Sequence, residues 1–311
     1  MGREVGTRLA AEQTTIAQPV IKSGIGLHTG ESCAVSLLPA EPDAGIVFVS
    51  GGVEVPGTAE FVVDTRRGTT LGRGSLPGGA GETPALPGGP TQVGCVEHLM
   101  AALYGLGVEN VRVEVEGAEL PALDGCAGEW VKVLRRAGLR RLGVARKRRR
   151  LDRAVWASDG VAWAVAAPAR GGLTLAVGVE FENTAAGRQT LWMRVSPGRF
   201  ARELAPARTF AMAEELEALR ADGLSKGGSL ENAFVVGREG YVGELRFEDE
   251  VVRHKALDLL GDIALCGGRF EGQVVAVRPS HRVNVELAGK LQAVLGGAGS
   301  EGEGVARRER R

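Results

Sequence analysis

VRHKALDLLGDI at residues 252–263 lines up with VEHLMAALYGLG at residues 96–107, and His98 falls on His254. Both stretches carry apolar residues at helical spacing. Each then gives way to a strand-like run, Val111 to Val115 after the first and Gln273 to Val277 after the second, followed by a further helix candidate. Upstream, Ala34-Val35-Ser36-Leu37-Leu38-Pro39 leads through a turn to Ile46-Val47-Phe48-Val49. Trp163-Ala164-Val165-Ala166-Ala167-Pro168 leads in the same way to Leu173-Thr174-Leu175-Ala176-Val177. Both read as strand, Pro/Gly turn, strand. Two amphipathic helices can match by chance, but here the order of elements repeats as well. The expected fold class is α+β, with two copies of one unit facing each other and each delivering a ligand from the same helix.

With 311 residues the chain is long for one average domain and fits two. The basic run Arg146-Lys147-Arg148-Arg149-Arg150 marks the break and reads as a solvated linker, 146–152. The expected first domain is 16–145, containing a Pro/Gly-rich loop at 72–90, and the second is 153–295. Residues 1–15 and 296–311 are expected to be disordered, the latter for its glycine and charge. A β-α-β insert is expected at about 211–244, starting from a strand that ends near Thr209-Phe210. Met212, Leu216 and Leu219 give it a helix pattern, Ser225 to Ser229 a turn and Ala233 to Val236 a strand.

Composition narrows the function classes. Hydrophobic residues make up 44%, enough for a sizeable core, and 38 basic residues balance 38 acidic ones. That balance gives no case for nucleic acid as the main partner. Cys33, Cys95, Cys126 and Cys266 form no CxxC pair, so reduced thiols in a cytoplasmic protein are expected. The first residues lack the apolar core of a signal peptide, and no run approaches the length of a transmembrane segment.

Three short pieces carry the chemistry: Glu97-His98, His254-Lys255-Ala256-Leu257-Asp258 and Ser280-His281. His254 and Asp258, four apart, share one helix face, and Asp262 extends the stripe with a drift of about 40° per step. Ala256, Leu257, Leu259, Leu260, Ile263 and Ala264 around them are apolar, so these polar groups must be paired to something specific. An imidazole and a carboxylate on one face, with one further imidazole, make a three-ligand metal set with an open position for water. Glu97, beside a candidate ligand, is a natural base for that water. No H-E-x-x-H signature is present. Gly24 to Gly30 reads as a hairpin turn near the site.

At these residues the chain resembles the UDP-3-O-acyl-N-acetylglucosamine deacetylase family, zinc enzymes of the committed step of lipid A biosynthesis in Gram-negative bacteria. The resemblance runs from about Gln18 to Lys290 and rests on SGIGLHTGE, VEHLMAALYGLGVENV, ELPALDGCAGEW, PARTF, GLSKGGSLEN, VRHKALDLLGDIAL and the SH of PSHRVN, in order. It implies two similar α+β domains packed as a layered sandwich, each with an insert, and the active site between them. It implies one Zn2+ per chain on His98, His254 and Asp258. Glu97 would be the general base and His281 the general acid or electrostatic partner, although Glu97 doing both jobs alone stays open. Thr209 would polarise the acetyl carbonyl, Lys255 would assist, and Asp262 would orient His281. Phe210, Met212, Leu216 and Leu219 would line an acyl passage. The expected partner is a UDP-linked acylated glucosamine, and a cytoplasmic monomer is expected. Cys95 departs from the family in standing where threonine is usual, and the 72–90 loop is longer than usual. Two other functions compete: a zinc amidohydrolase of the same fold acting on another acylated amide, and a non-catalytic scaffold in which His254 and Asp258 merely pair.

Overall fold

The computed structural model describes residues 12–73, 91–147 and 149–297. The first half builds β1 (Glu12–Ile16), β2 (Val20–Ile25), β3 (Ser32–Pro39), β4 (Ile46–Ser50), β5 (Val53–Pro56), β6 (Val62–Asp64), β7 (Thr70–Gly72) and β8 (Gln92–Val93). It continues through α1 (Glu97–Leu106), β9 (Val111–Glu116), α2 (Gly128–Ala137) and β10 (Leu139–Ala145). The second half builds β11 (Val155–Ser158), β12 (Trp163–Ala167), β13 (Leu173–Phe181), β14 (Gly187–Arg194), the short α3 (Pro197–Arg199) and β15 (Thr209–Met212). It ends with α4 (Leu216–Ala221), β16 (Ala233–Val236), β17 (Tyr241–Val242), α5 (Glu250–Ala264), β18 (Gly272–Val277) and α6 (His281–Gly297).

Two five-stranded sheets dominate, ordered β2-β3-β9-β4-β5 and β11-β12-β18-β13-β14. Their connectivity is the same. The central strand, β9 or β18, runs antiparallel to β3 or β12 and parallel to β4 or β13. Alternating burial on β3, β9, β13 and β18 turns one face of each sheet inward. In the second half, α5 packs on β13 and β14, and α6 packs on β11 and β12. The two halves meet through α1 against α5. Leu99, Met100, Leu103, Leu257 and Leu260 are fully buried there, each worth about 1.5–3 kcal/mol of apolar transfer. The result is a mixed α+β protein with several sheets and, among the described residues, six α-helices. No described helix is long and apolar enough to cross a membrane.

Three expectations need correction. Residues 12–15 belong to β1, which pairs antiparallel with β10, so the irregular N-terminal segment cannot extend to residue 15. Thr14 and Thr15 are buried in that ribbon, a placement that only a partner more than a hundred residues away could reveal. Thr209 begins β15 rather than ending a strand, and Met212 closes that strand rather than joining the helix of the insert. The run 209–212 is β-prone and pairs in parallel with β16, which overrides its apparent helical spacing. Most of the 72–90 loop (74–90), residues 1–11 and residues 298–311 lie outside the described residues, whereas residues 296–297 end α6.

Candidate active site

The site forms where α1 crosses α5. A Cβ on Gly261 would run into the Glu97 carbonyl, so glycine here lets the two helices meet backbone to backbone. That approach places the first turn of α1, with Glu97 and His98, beside the polar stripe of α5. His254, Asp258 and Asp262 are at most 3% exposed, among the buried Ala256, Leu257, Leu259, Leu260 and Ile263 of the same helix. Buried polar groups of this kind must be paired.

His98 Nε2 lies 3.5 Å and His254 Nε2 3.3 Å from the same Asp258 oxygen. One donor atom from each of the three side chains falls within 4.8 Å of the others. The rings of His98 and His254 stand edge to face. The Ala207 carbonyl binds His254 Nδ1 at 3.2 Å, which fixes the ring and leaves Nε2 for the site. Burial pushes His254 down to about 4, so its ring is neutral, as a ligand must be. Burial alone would raise Asp258, but His254, Lys255 and His98 hold it well below the usual carboxylate range. Burial opposes protonation of His98, and Asp258 and Glu97 outweigh it and raise its value. Two imidazoles and one ionised carboxylate, with Nε2 atoms converging, fit a divalent cation with a position to spare.

Glu97 is 6% exposed and accepts a hydrogen bond from the Thr69 backbone N–H at 2.9 Å. Burial pushes its carboxyl above the ordinary range, against the opposing pull of His281 and His98. His281, at the start of α6, faces Asp262 at 2.9 Å through Nδ1 and presents Nε2 3.9 Å from Asp258. Asp262 outweighs the effect of burial and raises His281 to about 9. Asp262 in turn accepts from Thr69 Oγ1 at 2.6 Å and from Asn284 Nδ2 at 2.9 Å. Sequence reasoning missed Thr69 and Asn284. Thr69 lies in an aperiodic loop and gives no local signal. Asn284 is a polar residue in a buried stretch of α6, three residues after His281, and that spacing could have exposed it.

These side chains open on a cavity of about 550 Å3, lined also by Thr209, Phe210, Lys255 and Arg278. Lys255 Nζ lies 2.9 Å from the second Asp258 oxygen. The segment carrying Ala207 and Thr209 is clamped by the buried pair Arg208–Glu250, 3.0 Å apart. Glu250 also accepts from the backbone N–H groups of Arg208 and Arg246. A second cavity of about 270 Å3 shares Leu27, Arg67, Thr209, Phe210 and Glu215 with the first and reaches Leu216 and Leu219 in the insert. Met212, buried at the end of β15, lines the first cavity. The 225–229 turn bonds to the turn between β2 and β3, through Gly227 N–H to Leu27 O at 3.0 Å, so the insert closes against the first half.

Residues 13–293 match the family described as LpxC, UDP-3-O-acyl N-acetylglycosamine deacetylase. The protein named UDP-3-O-acyl-N-acetylglucosamine deacetylase of Syntrophotalea carbinolica is 38% identical over 287 residues, 90% of this chain and 88% of its own. The protein of the same name from Anaeromyxobacter dehalogenans is 39% identical, covering 90% of this chain and 87% of its own. The one from Nostoc sp. is 37% identical, covering 91% of this chain and 99% of its own. A match across nearly the whole chain, over a site able to hold a divalent cation, makes the protein a member of the UDP-3-O-acyl N-acetylglycosamine deacetylase family, an amide-hydrolysing enzyme.

Proposed function

We propose that the protein removes the N-acetyl group from UDP-3-O-(3-hydroxyacyl)-N-acetylglucosamine and releases acetate, the committed step of lipid A biosynthesis. The gathering of His98, His254 and Asp258 within 4.8 Å at the cavity wall carries this reading. One Zn2+ per chain on those residues would supply Lewis acidity, drawing the pKa of water toward neutrality and polarising an amide carbonyl. Glu97 takes the proton from the attacking water, a role favoured by a carboxyl raised toward neutral pH. His281, held protonated by Asp262, gives a proton to the departing amine. Thr209 Oγ1 donates to the oxyanion, and Lys255 adds positive charge beside it. The 3-O-acyl chain runs past Phe210 into the second cavity, along Leu216 and Leu219. Repeated sheet order and helix placement support a tandem duplication, with domains at 16–145 and 153–295 joined by 146–152 and the β-α-β insert at about 211–244. A cytoplasmic monomer completes the proposal.

The test is incubation of metal-loaded protein with the acylated UDP-N-acetylglucosamine, reading acetate and free amine. Equimolar acetate and amine are expected. Turnover of other acylated amides but not of this substrate would assign a different amidohydrolase, and no hydrolysis of any of them would leave a scaffold.

A further inference from the structure

Three of the four tryptophans lie on one surface. Trp156, Trp192 and Trp163 are 65%, 63% and 41% exposed, while Trp130 is in the core. Register puts the three on the outer face of the second five-stranded sheet. Trp156, Val165, Val275, Ala176 and Trp192 stand opposite one another across all five strands, with Trp163 and Val277 in the adjoining row. The equivalent row of the first sheet is Ile21, Ser36, Glu114, Val49 and Glu54. There Arg112 bridges Glu54 and Glu114. Two sheets of the same order thus differ on their outer faces: one is salt-bridged, and the other is an apolar strip with tryptophan at both edges. The core does not account for the two edge tryptophans, because Trp156 and Trp192 leave more than half of their surface in water. Exposed contiguous apolar surface of this kind marks an interaction site.

The rim indicates the partner. Arg194, closing β14 opposite Thr174, and the exposed Arg170, in the turn between β12 and β13, place two guanidinium groups at one end of the strip. At the other end Arg188 and Arg278 share the single carboxylate of Glu180. That end adjoins the cavity mouth, since Val161, Glu180 and Arg278 all line it. Tryptophan settles at the headgroup level of a bilayer, and arginine is attracted to anionic lipid. We infer that this face docks on an anionic lipid surface, holding the cavity mouth beside the bilayer. The inference is independent of turnover, because vesicle binding and deacetylation are read separately.

The test is co-sedimentation of the full chain with vesicles of phosphatidylcholine alone and of phosphatidylcholine with phosphatidylglycerol at low salt. Binding to the anionic vesicles only is expected, with a blue shift of tryptophan emission and loss of binding at high salt. Arg170→Ala with Arg194→Ala should weaken partitioning by roughly fivefold per arginine removed. Trp156→Ser with Trp192→Ser should abolish it while leaving the melting temperature and acetate release on a short-chain substrate unchanged, and Ile21→Ser on the first sheet should change nothing. No partitioning, equal binding to both vesicle types, or binding indifferent to the tryptophan and arginine pairs would overturn the inference. So would a dimer in sedimentation velocity that the tryptophan pair dissolves, since the face would then belong to a second copy of the chain.

Discussion

Glu97 and His281 both contact Thr69 beside the cluster of His98, His254 and Asp258, and their proton affinities are displaced by different causes. Burial raises the carboxyl of Glu97, and Asp262 raises the imidazole of His281 to about 9. One group is thereby suited to accept a proton near neutral pH and the other to donate one. Replacing Glu97 with Ala should leave the metal in place and lower kcat by roughly two to four orders of magnitude, the scale of a positioned general base. A variant turning over at wild-type rate would show that another group activates water. The folded value of His281 lies above the ordinary 6.5, so the stability contributed by its pairing with Asp262 is complete below pH 6.5 and is lost as pH rises through about 9. Urea melts of metal-free protein should show wild type losing stability across that window. His281→Gln should show a shallower dependence there, with what remains owed to His98, which Asp258 and Glu97 also raise, and identical profiles would remove the ionised His281–Asp262 pair from the picture.

The helices and the insert set positions that no single residue controls. Gly261 is where α5 meets α1, so Gly261→Ala should push the helices apart at the turn bearing Glu97 and His98. A cost of about 1–3 kcal/mol in unfolding free energy is expected, with a weaker hold on the metal by chelator competition. An unchanged melt would mean that the crossing relaxes easily. In the insert, Leu216 is half-buried on the wall of the second cavity. Removing three methylenes from the acyl group should lower kcat/KM by about tenfold to a hundredfold, at roughly 0.8 kcal/mol per CH2. Leu216→Asp should flatten that preference in a protein that still folds. A loss of stability with the preference intact would make Leu216 a packing residue only.

Across the whole molecule, what the sequence disclosed follows the range of the forces involved. Apolar periodicity is local, and it marks α1, α5, β3, β4, β12 and the central strands β9 and β18 within a residue or two, while β13 runs four residues past the expected Val177. The polar stripe of His254, Asp258 and Asp262 is legible because it interrupts the apolar run of Ala256, Leu257, Leu259, Leu260 and Ile263. Pairing between distant segments was not legible. Nothing in Glu12–Ile16 announces β10 as its partner, and nothing near Thr69 announces a hydroxyl bonded to Asp262 across 193 positions. Met212 misleads from sequence alone, because its spacing fits the helix of the insert while its backbone partner is β16. Every role proposed for the site depends on a single cation bound by His98, His254 and Asp258. Elemental analysis of purified wild type and His254→Ala, with acetate release measured on the same samples, tests this most directly. About one divalent ion per chain is expected in wild type, and in the variant neither metal nor acetate. Full metal occupancy in His254→Ala would contradict the ligand assignment.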